Sequence, residues 1–260
     1  MYLEINNTNC KAIINISICL VLVIRIWSNL YICIKFVISI FMNIIWNGQS
    51  CFRIEDKING ENVVLVTDPY DNSIGLRLPK QKATIVTTSH DHEGHNNVLA
   101  VEGIEEDGPI VFDRPGEYEV KGGFITGIGS YHDKQEGKER GKSIIFKIDF
   151  NGLTILHLGD LGTALSSAQL EKIENVDILL VPVGGTYTLN AKEAAEVVRQ
   201  VEPRIVIPMH YKIKGLKTEI ESEEKFIKEM GGDAEKLNKL KIAKKDLPQE
   251  DTKLIILEKN

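Results

Sequence analysis

Cysteine is scarce and badly placed for structural work: Cys10, Cys19, Cys33 and Cys51 all lie in the first fifth of the 260-residue chain, with no C-x-x-C spacing. That excludes a disulfide framework and a thiolate zinc knuckle, and it points to a reducing compartment, the cytoplasm. A basic stripe is also missing. With a net charge of −6 and Lys and Arg scattered, the chain does not offer a nucleic-acid groove, and a small molecule is the expected partner. No repeat of the solenoid kind is present. Nothing in the composition fixes the oligomeric state.

The first 41 residues lack Gly, Pro, Asp, Gln and His altogether, and their only charges are Glu4, Lys11, Arg25 and Lys35. Residues 12–41 have the length of a membrane span, which needs about 20 apolar residues. Their longest uncharged run, Ala12 to Ile24, is only 13 residues, and Arg25 near the middle costs roughly 2.5–3.5 kcal/mol on insertion scales. A small-residue cleavage site for secretion is missing too. Three readings stay open for residues 1–41: an upstream extension with the functional chain starting at Met42, a membrane anchor, or an extra packed element. From residue 42 to 260 the composition is that of one ordinary globular domain.

What is present is organised around Thr87 to Asn97, where His90, His92 and His95 fall within six residues. The apolar, β-branched run Ala83–Thr87 leads into it and reads as a buried strand. Imidazoles at i, i+2 in a loop after a strand can converge on one ion, at about 2.0–2.1 Å for zinc. The remaining histidines also lie at or near predicted strand ends: His132 after Gly129-Ser130-Tyr131, His157 in Leu156-His157-Leu158, and His210 after Val206–Met209. Strand ends are where a rigid scaffold presents ligands. Asp68, ending the run Asn62–Thr67, either caps a turn or orients a histidine.

The pattern changes along the chain. Asn47-Gly48, Asn59-Gly60 and Asn151-Gly152 read as hairpin turns in a strand meander, and Lys134–Lys142 as an exposed loop beside His132. After Gly159-Asp160-Leu161-Gly162 strands and helices alternate. Ser166–Ile173 reads as a helix, Asn190 with Glu193 as a capping box opening another to about Val201, and Glu219–Met230 as a third, stopped by Gly231-Gly232. A meander half followed by a β/α half implies two mixed sheets packed face to face with helices outside.

These motifs, in this order from Met42 to about Gly232, resemble the metallo-β-lactamase superfamily, in particular its small bacterial metal-dependent hydrolases related to lactonases. The resemblance implies an α/β fold, a four-layer αββα sandwich. It implies one or two metal ions, usually zinc, although nitrogen and oxygen ligands also admit manganese, iron or nickel. Carried over residue by residue, His90, His92 and His132 would hold the first ion. His95, Asp160 and His210 would hold the second, with Asp160 bridging. One position departs from the H-x-H-x-D-H motif: Gly94 stands where the family has aspartate. Asp91 or Glu93 could take its place; otherwise a water does, the second ion binds weakly, or one ion suffices. His157 matches no ligand position and reads as a strand residue.

The expected activity is metal-dependent hydrolysis of a small ester, lactone or phosphodiester by a metal-bound hydroxide, with Asp160, His95 and Asp91 taking part in catalysis. Tyr187, Tyr211 and Lys212 are candidate substrate-binding residues. The alternatives are a phosphodiesterase or nuclease of the same fold, and a non-catalytic metal-binding homologue, for which Gly94 is the motive. Redox chemistry of the flavodiiron kind would need a flavin domain, and no sequence remains for one after Gly232.

Overall fold

A computed structural model describes residues 41–260. The expectations for residues 1–41, including a membrane anchor, therefore lie almost wholly outside the described residues. Among the described residues no helix is long and apolar enough to cross a membrane.

In chain order the elements are β1 (Met42–Gly48), β2 (Cys51–Ile58), β3 (Glu61–Thr67), β4 (Gln81–Ala83), β5 (Ile85–Thr87), β6 (Val101–Gly103), β7 (Ile110–Phe112), β8 (Gly116–Val120), β9 (Gly123–Tyr131), β10 (Lys142–Phe150) and β11 (Leu153–His157). There follow α1 (Ser167–Ile173), β12 (Ile178–Pro182), α2 (Ala191–Val201), β13 (Ile205–Met209), α3 (Glu224–Glu229), β14 (Glu235–Leu237), β15 (Leu240–Ile242) and β16 (Lys253–Leu257).

Two large mixed sheets result. The first runs β15-β1-β2-β3-β5-β7 and the second β14-β16-β13-β12-β11-β10-β9-β8, with β4 and β6 forming a small separate pair. In the second sheet β8 to β11 are antiparallel neighbours, and β11, β12, β13 and β16 are parallel. This matches the expected change from meander to β/α units. The inner faces share one apolar core, in which Trp46, Phe52, Ile54 and Leu65 of the first sheet meet Phe146, Ile148, Phe150 and Ile155 of the second. A second cluster, with Val64, Val66, Tyr70 and Val86, lies on the other face of the first sheet. Over that face, among the described residues, the cover includes the short helical turn at Asn72–Ile74 and the β4–β6 pair.

Local chemistry accounts for most boundaries. Ser166 caps α1 with Gln169 returning the bond, and Asn190 does the same for α2 with Glu193, so both N-termini satisfy donors the helix leaves over. Asn151 and Gly152 turn with positive φ (49° and 79°), as a type I′ hairpin requires.

Four sequence expectations are corrected. The run Ala83–Thr87 is broken at Thr84, whose backbone N–H is drawn to Val64 O at 2.8 Å. The third helix is only Glu224–Glu229, because Glu221 is held in tertiary bonds: it donates to Gly184 O and accepts from Lys212 N, both at 2.8 Å. A backbone tied on both sides there cannot join the helical ladder. The first hairpin turns at Gln49–Ser50 rather than at Asn47-Gly48, because β1 continues through Gly48 with a register shift after Trp46. Finally, β14 and β15 were not foreseen; they extend the second and the first sheet respectively.

Candidate metal centre

The chain comes off one end of the two sheets in a series of turns that carry the candidate ligands. Asp68 directly follows β3, His90 follows β5 by two residues, His132 directly follows β9, Asp160 lies just beyond β11, and His210 directly follows β13. Five loops from two sheets therefore meet at one mouth. Asp68 (φ 39°) and His210 (φ 53°) sit in left-handed backbone, which non-glycine residues adopt only where the surroundings impose it. Close backbone approach is built in as well. A Cβ at Gly162 would lie 2.3 Å from His132 O, and one at Gly184 would lie 2.2 Å from His210 O.

Asp160 is the focus. Its Oδ2 is 3.2 Å from His95 Nε2 and 3.3 Å from both His132 Nε2 and His210 Nε2. The other oxygen, Oδ1, accepts from Ser50 Oγ at 3.2 Å. Ligand atoms bonded to a tetrahedral ion at 2.0–2.1 Å stand roughly 3.3 Å from one another, so these spacings are those of a coordination shell. Two trios of potential donors come within 4.8 Å of one another around Asp160: His95, Asp160 and His210, and His90, His132 and Asp160.

Asp68 organises the opposite side. It accepts from Ser89 N at 2.7 Å and Ser89 Oγ at 2.6 Å, and from His95 Nδ1 at 2.9 Å. Having given its proton to Asp68, Ser89 Oγ meets His90 Nδ1 at 3.0 Å as an acceptor. Both imidazoles are thus protonated at Nδ1, and a lone pair is left for an ion at Nε2 of His90 and, once its extra proton leaves, of His95. His90 Nε2 is buried without a hydrogen-bond partner among the described residues. A buried nitrogen left unpaired beside a carboxylate and other imidazoles is what a metal site without its ion presents, and the donor set fits a divalent cation.

The protonation states agree. Burial opposes charge on His95, but Asp160 and Asp68 outweigh it and hold the ring up to about 10. Burial pushes His90 down to about 3, reinforced by the charge on His95. Asp160 is also buried, yet the surrounding imidazoles, His210 and His95 foremost, hold its carboxyl well below the usual range. The proton on His95 thus faces both buried carboxylates, Asp160 and Asp68.

The sequence-predicted residues divide. His95, Asp160 and His210 form one group, as the resemblance implies. His90, His92 and His132 do not come together as a trio: His92 joins His90 and His95 instead. The cause is local, because Gly94 N donates to His92 Nδ1 at 3.2 Å and holds that exposed ring over His90. Gly94 itself is in ordinary backbone, and a Cβ there would meet only the His92 ring, Nδ1 at 3.3 Å. Asp91 and Glu93 line the mouth but are engaged elsewhere, Asp91 with Asn96 and Glu93 with Ser73. Tyr187 also lines the mouth, with the Arg140 guanidinium 5.4 Å above its ring.

Tyr211 and Lys212 are not brought to it. Tyr211 is buried against Trp46 at a ring separation of 4.9 Å, and Lys212, itself outside the cavity wall, is tied to Thr218 O and Glu219, which are in it. His157 is a core residue bonded to Ser50 O at 2.8 Å. Ser50, Ser89 and Gln49 were missed, since none carries a spacing signal; only the strand ends bring them in.

The cavity over the centre has a volume of about 710 Å³ and includes Gln49, His90, His132, Asp160 and His210 in its wall. A larger one, about 960 Å³, opens at the other end of the second sheet near Asp177 and Arg204 and contains no histidine.

Comparison with known proteins points the same way. The profile of the β-lactamase superfamily domain matches residues 43–210. A UPF0173 metal-dependent hydrolase of Thermoplasma acidophilum is 33% identical over 196 residues, covering 65% of this chain and 83% of its own. A UPF0173 protein of Pyrococcus furiosus is 33% identical over 201 residues, covering 73% and 90%. A crystal structure from Thermotoga maritima, assigned to the zinc-dependent hydrolases of the metallo-β-lactamase superfamily, superposes with a TM-score of 0.67 at 37% identity, over 83% of this chain and 98% of that one.

Proposed function

Because the chain belongs to the β-lactamase superfamily domain family, we propose that it is a metal-dependent hydrolase acting through zinc on a small ester, lactone or phosphodiester. The observation that carries this reading is Asp160 Oδ2, surrounded by three imidazole nitrogens at 3.2–3.3 Å. An ion held there supplies Lewis acidity and brings the pKa of a water it binds from about 15.7 to roughly 7.

The chain's own groups do the rest. His90 and His95 present Nε2 because Asp68, directly or through Ser89, holds their Nδ1 protons. Asp160 Oδ2 would balance the positive charge of the ion and, as a carboxylate held ionised by the surrounding imidazoles, would orient the attacking water. Asp91, exposed at the cavity wall with one oxygen taken by Asn96, would carry a proton from that water to the leaving group through its other oxygen. Burial of Asp160, His95 and His210 strengthens each of these charge interactions. At the mouth, Arg140 over Tyr187 offers a cation to an anionic end of the substrate.

The test is metal analysis of the purified chain, followed by hydrolysis of p-nitrophenyl acetate, γ-butyrolactone and bis-p-nitrophenyl phosphate before and after chelation. Turnover lost on chelation and regained with zinc supports the reading. Gly94 favours a second one, a metal-binding protein without turnover, and full metal occupancy with no hydrolysis of any of the three would decide for it.

A further inference from the structure

The turn between β1 and β2 is built into the metal centre. Ser50 Oγ donates to Asp160 Oδ1, and Ser50 O accepts from Thr67 Oγ1 at 2.8 Å and bonds His157 Nε2 at 2.8 Å. Gln49 O accepts from Trp46 Nε1 at 2.8 Å and from His210 N at 3.2 Å. Gln49 and His210 are thus joined through their backbones. Both are held in left-handed conformation, φ 49° and 53°, and both line the same cavity.

Their side chains carry complementary deficits. Gln49 is 3% exposed, and its Oε1 is a buried acceptor without a partner among the described residues. His210 is 4% exposed; its Nε2 faces Asp160, and its Nδ1 is likewise buried and unpaired. The contrast with Gln81 is informative. Gln81 is equally buried, but its Oε1 accepts from Arg53 and its Nε2 donates to Pro79 O. An orphaned amide oxygen in a turn fixed on both sides calls for an explanation other than loose packing. An imidazole that ligates through Nε2 needs an acceptor for its Nδ1 proton, which sets the tautomer and the ring's orientation.

We propose that Gln49 is a positioning residue for the metal centre: its amide oxygen accepts the Nδ1 proton of His210 when His210 Nε2 turns to an ion. His210 would then have the counterpart of what Ser89 gives His90 and Asp68 gives His95, with the β1–β2 turn supplying the acceptor. The inference rests on the metal-dependent reading above and adds to it the residue that orients the ligand after β13.

The test compares the full chain with Gln49→Met, which keeps length but removes the acceptor, and with Gln49→Glu, which restores one. Zinc affinity is measured by competition with a chromophoric chelator, and the His210 Nδ1–H by ¹⁵N-edited NMR of the zinc-loaded protein. The expected results are a zinc affinity lower by roughly 10- to 100-fold in Gln49→Met, recovery in Gln49→Glu, and a slowly exchanging Nδ1–H resonance that Gln49→Met abolishes. The metal-free Gln49→Met variant should unfold at or above the wild-type temperature, since it loses an unpaired buried polar atom. Equal zinc affinity in wild type and Gln49→Met, or a His210 Nδ1–H untouched by the substitution, would overturn the assignment. A lower unfolding temperature for metal-free Gln49→Met would overturn it too, showing an amide that serves the fold. Wild type that takes up no zinc at all would instead defeat the metal-dependent reading itself.

Discussion

Ser89 stands with its hydroxyl 2.6 Å from the Asp68 carboxylate and its backbone N–H 2.7 Å from the other oxygen. A single carboxylate thereby reaches two imidazoles, His95 directly and His90 through the serine. Ser89→Ala keeps the backbone bond but removes the acceptor for His90 Nδ1. Zinc affinity should fall by roughly 10-fold or more with little change in the unfolding temperature of the metal-free protein. Asp68→Asn should cost more, because His95 also loses its anionic partner. Equilibrium competition for zinc checks both.

Gly94→Asp should increase the amount of metal bound per chain. The position is in unstrained backbone, and a new Cβ meets only the exposed His92 ring, Nδ1 at 3.3 Å and Cε1 at 3.8 Å, which can give way by a small shift, so the substitution should fold. A carboxylate there adds an anionic ligand beside His95. Elemental analysis after dialysis reads the outcome, and an unchanged stoichiometry would show that the missing aspartate does not limit the second ion.

The metal-free protein should lose stability as pH rises. His95 is held up to about 10 by Asp160 and Asp68, against an ordinary value of 6.5. A group raised in the folded state contributes fully below its unfolded value and loses that contribution as pH climbs through the folded one. The window therefore runs from about pH 6.5 to 10, with unfolding temperature falling across it. An ion must displace the same proton, so zinc affinity should rise with pH in this window and uptake should release protons into weak buffer. Thermal melts across the window, with and without zinc, test the sign.

Arg140→Ala should raise KM for substrates bearing a carboxylate or phosphate and leave kcat close to wild type. The guanidinium lies over Tyr187 in the cavity wall and belongs to none of the candidate ion-holding groups, so it should act on binding rather than on the reacting bond. Paired anionic and neutral esters provide the measurement. An equal loss on both would remove charge recognition from its role.

The candidate cluster was legible in the sequence because imidazole is rare here and His90 and His210 closely follow apolar, β-branched runs. A strand end fixes where a side chain begins, and its chemistry then names its use. The same logic misplaced Tyr211 and Lys212. Adjacency to His210 says nothing about the direction a neighbour takes, and Tyr211 is turned onto Trp46 while Lys212 pairs with Glu219. Gln49, Ser50 and Ser89 were illegible for a different reason. Serine and glutamine occur throughout loops, and Ser50 comes to Asp160 across 110 positions only because β1, β2 and β11 come off the sheets at one end. Helix α3 was overextended because hydrophobic spacing cannot register the two backbone bonds that hold Glu221 in place.

The candidate ligands divide between the sheets: His90, His92 and His95 come from the first, and His132, Asp160 and His210 from the second. A cation shared among them would tie, at one end, two walls already joined through their core, closing a loop of more than 100 residues between His90 and His210 as a disulfide might in a secreted protein. Stripping that tie should leave both walls folded but let their open ends part, so faster amide exchange would be concentrated at the mouth, in the turns after β5, β9 and β13, and would spare the opposite end.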